Sequence, residues 1–231
     1  KVGARYAKKI FVTSSEAASF FPEGKTEIYG NPVRALPEAS TLERPKEFPE
    51  GKKCVFITGG SQGALGINRK IEESIKEIIA DTSLSVVWQV GSKHVESFQE
   101  RLGNLPNVSI VGFVNNVYAY FQYADLIVSR AGASALAEIL AFGKPSVLLP
   151  FPHATANHQE KNARVVEKAG AALVELDDEP NQLWAKISDL LNNDTKRGQM
   201  AEQAKNLGMP DAADRIAKAI LKMEKYYAKN A

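Results

Sequence analysis

The sequence predicts an α/β fold built on a parallel sheet, and three observations carry that expectation. Short apolar runs such as Leu126-Ile-Val128 and Ser146-Val-Leu-Leu149 lack polar alternation, which suits strands covered on both faces. From Lys53 onward such runs alternate with stretches whose apolar residues recur at helical spacing. Glycine and polar clusters follow the runs, at the strand ends where sheets of this kind hold ligands.

Residues 1–33 read as a small opening unit. Lys9-Ile-Phe-Val-Thr13 and Thr26-Glu-Ile-Tyr29 look like strands, and Ser14 or Ser15 can cap a short helix that Pro22 ends. The unit has too few apolar residues to close a core alone and looks like the tail of a larger α/β domain. Residues 34–52 read as a linker, with Pro37, Pro45 and Pro49, many charges and few large apolar residues. Residues 53–210 carry the main domain. Strands are expected at 54–58, 84–90, 108–111, 126–129, 146–149 and 172–175. Helices are expected at 64–80, 94–102, 116–123, 134–142, 158–169, 181–192 and about 195–206. A last helix occupies the segment 211–231, with Asp211 and Asp214 at its start and Lys222, Lys225 and Lys229 toward its end, as the helix dipole prefers.

Composition narrows the function classes. The 231 residues suffice for one large domain or two small ones, and a formal charge of +2 gives no reason to expect nucleic acid as a partner. The single Cys54 excludes an intrachain disulfide, which fits a cytosolic compartment. No apolar run is long enough to span a membrane, and no signal peptide is visible. The chain starts at Lys1 rather than Met, which fits a processed, cloned or truncated product.

The stretch Thr58-Gly-Gly-Ser-Gln-Gly-Ala-Leu-Gly66 organises the rest. An apolar strand runs into it, and a helix marked by Ile71, Ile75 and Ile78 follows. Glycines let the backbone approach a ligand, and the helix start offers free N–H groups and a positive dipole end to phosphate. The turn is not a P-loop, because no Gly-Lys-Ser/Thr follows, and Gly60, Gly63 and Gly66 do not fit the dinucleotide fingerprint. The plainer alternative is a tight turn with Ser61 as helix N-cap.

Two further clusters follow strands. In Ser129-Arg-Ala-Gly-Ala-Ser-Ala-Leu-Ala-Glu138, small residues leave room at a helix start. Ser134 and Glu138 share a face, and a carboxylate there can accept two hydrogen bonds from the vicinal hydroxyls of a ribose. The alternative is an N-cap and a solvated glutamate. In the stretch from Pro150 to Glu160, Asn157, His158 and Gln159 open a helix and can read sugar hydroxyls or serve as caps. His94, His153 and His158 lack metal-ligand spacing, and no nucleophile–base pair is evident.

With these clusters in order, the chain resembles the MurG family of bacterial glycosyltransferases, which make lipid II. The residues that carry the resemblance are Gly30-Asn-Pro-Val-Arg34, Gly59-Gly-Ser-Gln-Gly-Ala64, Ser129-Arg-Ala-Gly-Ala133 with Ala137-Glu138, His158-Gln-Glu-Lys-Asn-Ala163, Glu167-Lys-Ala-Gly170 and Pro210-Asp-Ala212. The resemblance implies the C-terminal half of a GT-B fold of two Rossmann-like domains. It also implies transfer of N-acetylglucosamine from UDP-GlcNAc to lipid I, an undecaprenyl-diphosphate-linked muramyl pentapeptide, with inversion at the anomeric carbon.

By position, the resemblance implies that Arg34 reaches the nucleotide. Gly60, Ser61, Gln62 and Gly63 would face the diphosphate, and the backbone at Phe113-Val114 would read uracil. Arg130, Gly132, Ala133 and Ser134 would line the phosphate and ribose region, and Glu138 would hold the ribose. His158 and Gln159 would contact the GlcNAc hydroxyls. Ala135 stands where relatives often carry Thr, and His158 where they often carry Gln. The resemblance implies no cofactor and no metal, no nucleic acid partner, and no catalytic residue within this chain. Those residues, the lipid I pocket and the surface facing the cytoplasmic side of the membrane belong to an N-terminal acceptor domain of which residues 1–33 resemble only the end. A non-catalytic sugar-nucleotide-binding subunit and a UDP-GlcNAc 2-epimerase remain as alternatives; the turn sequence disfavours a dinucleotide-dependent oxidoreductase.

Overall fold

The computed structural model describes residues 3–229, apart from the side chains of Glu16 and residues 225–229, so the side chains of Lys225 and Lys229 and the chain's first and last two residues lie outside the described part. The chain divides into two compact units, residues 1–36 with 209–231, and residues 37–208.

In the first unit, helix α1 (Gly3–Tyr6) precedes strand β1 (Ile10–Val12), helix α2 (Ser15–Ala18) and strand β2 (Thr26–Ile28). The two strands pair in parallel. Ser14 is the cap of α2, its Oγ accepting from the Ala17 N–H. The helix Ala212–Lys229 belongs to this unit. Its Arg215 stacks 4.7 Å over the Tyr29 ring and donates to the Ile28 carbonyl.

In the second unit the strands are β3 (Lys53–Thr58), β4 (Leu84–Gln89), β5 (Val108–Val111), β6 (Leu126–Ser129), β7 (Ser146–Leu148) and β8 (Ala172–Val174). The helices are α3 (Leu65–Glu73), α4 (Ile75–Ala80), α5 (Val95–Leu102), α6 (Val117–Tyr123), α7 (Ala133–Ala141), α8 (His158–Lys168), α9 (Leu183–Asn192) and α10 (Asp194–Leu207). All six strands are parallel, in the order β5-β4-β3-β6-β7-β8. This is the doubly wound order, with helices on both faces.

The strand sequences explain the two-sided burial. On β3, Val55 and Ile57 enter one core with Ile67 and Ile71 of α3 and Ile187 and Leu190 of α9. Between them Phe56 points the other way and stacks 5.1 Å from Tyr120 of α6. On β7, Val147 joins the first core, while Leu148 joins Leu136 of α7 and Val166 of α8. Successive residues serve opposite faces, and both faces are apolar, so no polar alternation survives.

Two expectations need correction. The helix expected over 64–80 is interrupted at Ser74, whose N–H turns to the Ile71 carbonyl, while the Lys70 carbonyl it would otherwise reach accepts from Asn181 Nδ2 at 2.8 Å. The expected linker 34–52 is anchored from Pro37 onward. Phe48 is fully buried against Tyr120, Tyr123 Oη donates to the Leu42 carbonyl, and Ser85 Oγ donates to the Glu47 carbonyl.

Candidate functional site

The chain leaves β3 toward β4 on one side of the sheet, and leaves β6 toward β7 on the other. A crevice therefore opens beyond the carboxyl ends of β3 and β6, where the winding reverses. Thr58 and Ser129 are register partners, so the Gly-rich turn and the Arg130 loop start side by side at the same level.

The turn's shape is set by close backbone approach. Gly60 and Gly63 lie at φ 78° and 75°. A Cβ on Gly63 would lie 2.0 Å from the Val90 carbonyl oxygen, and one on Gly59 would lie 2.3 Å from the Ala64 nitrogen. Thr58 Oγ1 accepts from the Gly60 N–H at 3.0 Å, and Gln89 Nε2 donates to the Gly60 carbonyl at 3.1 Å. Behind the turn, buried Asn68 donates to the Val90 carbonyl and accepts from Trp88 Nε1, each at 3.0 Å. These bonds preorganise the turn without a ligand. The Ser61 N-cap reading is corrected: Ala64 occupies the cap of α3, no side chain caps it, and Ser61 and Gln62 are exposed.

At the end of β6, Arg130 makes a bidentate pair with Asp177, at 2.8 and 2.9 Å. The same guanidinium donates to the Leu149 and Pro150 carbonyls. Gly132 caps α7 with no side-chain cap bond, and Ala133 and Ser134 are exposed in its first turn. Glu138 is not a solvated surface carboxylate: Tyr118 Oη donates to its Oε1 at 3.0 Å. Val114, after β5, is buried, whereas Phe113 is 54% exposed.

The loop after β7 holds two consecutive non-glycine residues in the left-handed region, Ala156 and Asn157, both at φ 53°. Such backbone costs about 1–2 kcal/mol per residue. Asn157 precedes α8 without capping it and instead donates to Glu160. His158 Nδ1 lies 2.8 Å from the Thr155 carbonyl, so Nδ1 carries a proton and donates there, which leaves Nε2 for other partners. Gln159 Oε1 accepts from the Phe151 N–H at 3.0 Å. Its Nε2 lies 4.0 Å from where a Cβ on Gly132 would stand, which joins the α7 and α8 starts.

A cleft of about 1510 Å³ runs along this edge, with Gly63, Gly66, Arg130, Phe151, Gln159 and Asp177 in its wall. Gly60, Ser61, Gln62, Val114, Gly132, Ala133, Ser134, Glu138 and His158 lie outside its lining. Arg34 is exposed in the other unit. Sequence reasoning missed Tyr118 and Asp177. Tyr118 hides in the aromatic helix Val117–Tyr123. Asp177 follows β8 at the same sheet edge as the chosen clusters, and the edge rule applied to the last strand would have found it. Among the described residues, no group of three or more His, Cys, Asp or Glu side chains is placed to hold a metal ion.

Fold and site together define a doubly wound α/β domain, its loops gathered at the switch point. Residues 54–216 match the glycosyltransferase family 28 C-terminal domain, and the chain belongs to that family. It is 35% identical over 234 residues to the UDP-N-acetylglucosamine–N-acetylmuramyl-(pentapeptide) pyrophosphoryl-undecaprenol N-acetylglucosamine transferase of Salinibacter ruber; the match takes in 100% of this chain and 63% of that protein. The chain thus spans less than two thirds of the length of this curated relative. The crystal structure of Acinetobacter baumannii MurG superimposes with a TM-score of 0.73 at 24% identity, covering 95% of this chain and 62% of that one. A crystal structure of UDP-N-acetylglucosamine 2-epimerase gives a TM-score of 0.68 at 16% identity, covering 96% of this chain and 59% of that one. Likenesses at these identities speak for the shared fold.

Proposed function

We propose that this chain is the donor-binding half of an inverting N-acetylglucosaminyltransferase of peptidoglycan synthesis, which moves GlcNAc from UDP-GlcNAc to lipid I and forms lipid II. The observation that carries the reading is the pairing of Thr58 with Ser129 at the switch point, which starts the Gly-rich turn and the Arg130 loop, each leading to a helix whose N-cap residue makes no side-chain cap bond, at one level of the sheet edge. The match to the family 28 domain supports it.

In this reading the acceptor hydroxyl attacks C1 of GlcNAc while UDP departs from the opposite face. The departing diphosphate gains negative charge, and the amides opening α3 and α7 stabilise it from fixed positions. Glu138, held by Tyr118, accepts the ribose hydroxyls. Val114 supplies backbone groups to uracil. His158 Nε2 accepts from a sugar hydroxyl, and Gln159 Nε2 donates to one. The residues that bind lipid I, take the acceptor proton and rest on the cytoplasmic face of the membrane belong to the portion of the longer relatives that this chain does not match. No helix among the described residues is long and apolar enough to cross a membrane.

The test is calorimetric titration with UDP-GlcNAc, UDP-galactose and NADH, repeated on Glu138→Ala. Binding of UDP-GlcNAc in preference to the other two, weakened in the variant, is the expected result. Indifference among the three ligands, or an unchanged affinity in the variant, would overturn the reading.

A further inference from the structure

The Asp177 carboxylate lies against the start of α3. A Cβ on Gly66, in the first turn of that helix, would lie 2.1 Å from Asp177 Oδ2, so only glycine there leaves the carboxylate its place. Both Asp177 oxygens are used on Arg130, and the two side chains are each 13% exposed. The segment that carries Asp177 is fastened down. Arg69 donates to the Asp177 carbonyl at 2.9 Å, and buried Lys70 donates to Glu175 and to the Glu179 carbonyl. Arg130 and Asp177 both line the cleft.

We propose that Asp177 sets the affinity of this cleft for a nucleoside diphosphate by holding Arg130 neutralised. The inference rests on the nucleotide-sugar reading above. A guanidinium opposed by a bidentate carboxylate presents no net charge to the cleft, so the diphosphate is left to the backbone amides of the helix starts. That restraint has a use. The diphosphate gains charge as the sugar leaves, and a free arginine beside it would hold the spent nucleotide and slow turnover. Asp177 is therefore a specificity-determining residue that acts through Arg130. Gly66 is the residue that admits it.

The geometry supplies a clean test. Arg130 also donates to the Leu149 and Pro150 carbonyls, bonds that should hold the cation at the cleft wall, unmasked, when Asp177 is removed. The experiment titrates the full chain, as wild type, Asp177→Ala and the double variant Arg130→Met/Asp177→Ala, with UDP and with uridine in low salt. UDP carries the diphosphate and uridine does not. In Asp177→Ala, UDP affinity should rise by about fivefold relative to uridine, as one unmasked charge near a diphosphate implies, and the gain should shrink with added salt and vanish in the double variant. Asp177→Asn, which keeps the side-chain shape, gives the same comparison should the alanine variant unfold. Equal changes for the two ligands would assign Asp177 a structural role, and selective weakening of UDP would make the pair a diphosphate clamp; either overturns the proposal. Wild-type chain that binds neither ligand refutes the nucleotide reading itself, and is told apart by failing before any substitution is made.

Discussion

Replacing Lys70 by Met should destabilise the second unit by about 3 kcal/mol, the low end of what breaking one side of a buried ion pair costs. The Lys70 side chain is 2% exposed, and its Nζ donates to Glu175 Oε1 at 2.8 Å and to the Glu179 carbonyl at 2.9 Å. Met fills similar volume, so the loss is electrostatic rather than a cavity. The low end applies because Glu175 keeps Lys186 Nζ at 2.7 Å and the Gln182 N–H at 3.1 Å. With a urea slope of roughly 2–3 kcal/mol per molar, the midpoint should fall by about 1–1.5 M. The double variant Lys70→Met/Glu175→Gln loses the Lys70–Glu175 contact once rather than twice, leaving Lys186 to the Val174 carbonyl it also donates to, and should recover at least about 1.5 kcal/mol against the sum of the single variants. Urea unfolding followed by tryptophan fluorescence reads both, since Trp88 is fully buried in this unit. A midpoint shift of less than about 0.3 M, or simple additivity, would refute the claim that the pair ties α3 to the loop after β8.

Three other outcomes follow from the same geometry. Gly63→Ala should cost clearly more than Gly60→Ala, though both sit at positive φ, because a Cβ on Gly63 would lie 2.0 Å from the Val90 carbonyl oxygen and one on Gly60 meets nothing within 4 Å. About 1–2 kcal/mol is expected for Gly60→Ala from left-handed backbone alone, and equal thermal midpoints for the two variants would count against the described turn. Burial alone would raise the Glu175 carboxyl, but hydrogen bonds from Lys186, Lys70 and the Gln182 amide outweigh it and hold it below its ordinary 4.5. Its stabilisation is therefore complete above the unfolded value and lost as pH falls through the depressed folded one; Glu175→Gln should flatten the acid limb of a stability–pH curve below about pH 4.5. Burial, reinforced by the Asp125 carboxylate, pushes the Cys54 thiol up to about 11, so at pH 8 a thiol reagent should label it only as fast as the domain opens, whereas labelling at the rate of a free thiol would place it outside the core.

Strand positions were legible because β3, β4, β6 and β7 are apolar on both faces and bounded by glycines or polar residues, a local property that a linear reading detects. Observed bounds fall within a residue of the expected ones; β5, for instance, is Val108–Val111 as read. What the sequence withheld depends on distant partners. The break at Ser74 needs Asn181, which lies 111 residues from the Lys70 carbonyl it takes. The linker expectation failed because proline and charge content hid Phe48, whose burial is decided by Tyr120 across the fold. Within the candidate site, the Gly-rich turn and the α7 and α8 starts could be read as local punctuation. The pairing of Arg130 with Asp177, 47 residues on, could not, and it alters what Arg130 offers a ligand.

That pairing belongs to a wider arrangement. Lys70 and Lys186 share Glu175, Arg130 faces Asp177, and Arg69 is occupied by the Asp177 carbonyl and Glu73. Lys70, Lys186 and Arg130 are thus matched by carboxylates from one short segment after β8, and Arg69 by Glu73 of its own helix. A site whose side-chain charges are already balanced recognises an anion through the direction of its amides, not through net charge. Fixed dipoles gain most from charge that appears late and in the right place, because they need no reorganisation as it forms. A mobile lysine or arginine would have to reorient onto the diphosphate as that charge forms, a cost that fixed amides avoid. The matched cations and rigid glycine turn are the features a donor domain needs if its binding energy is to be realised as the leaving group departs.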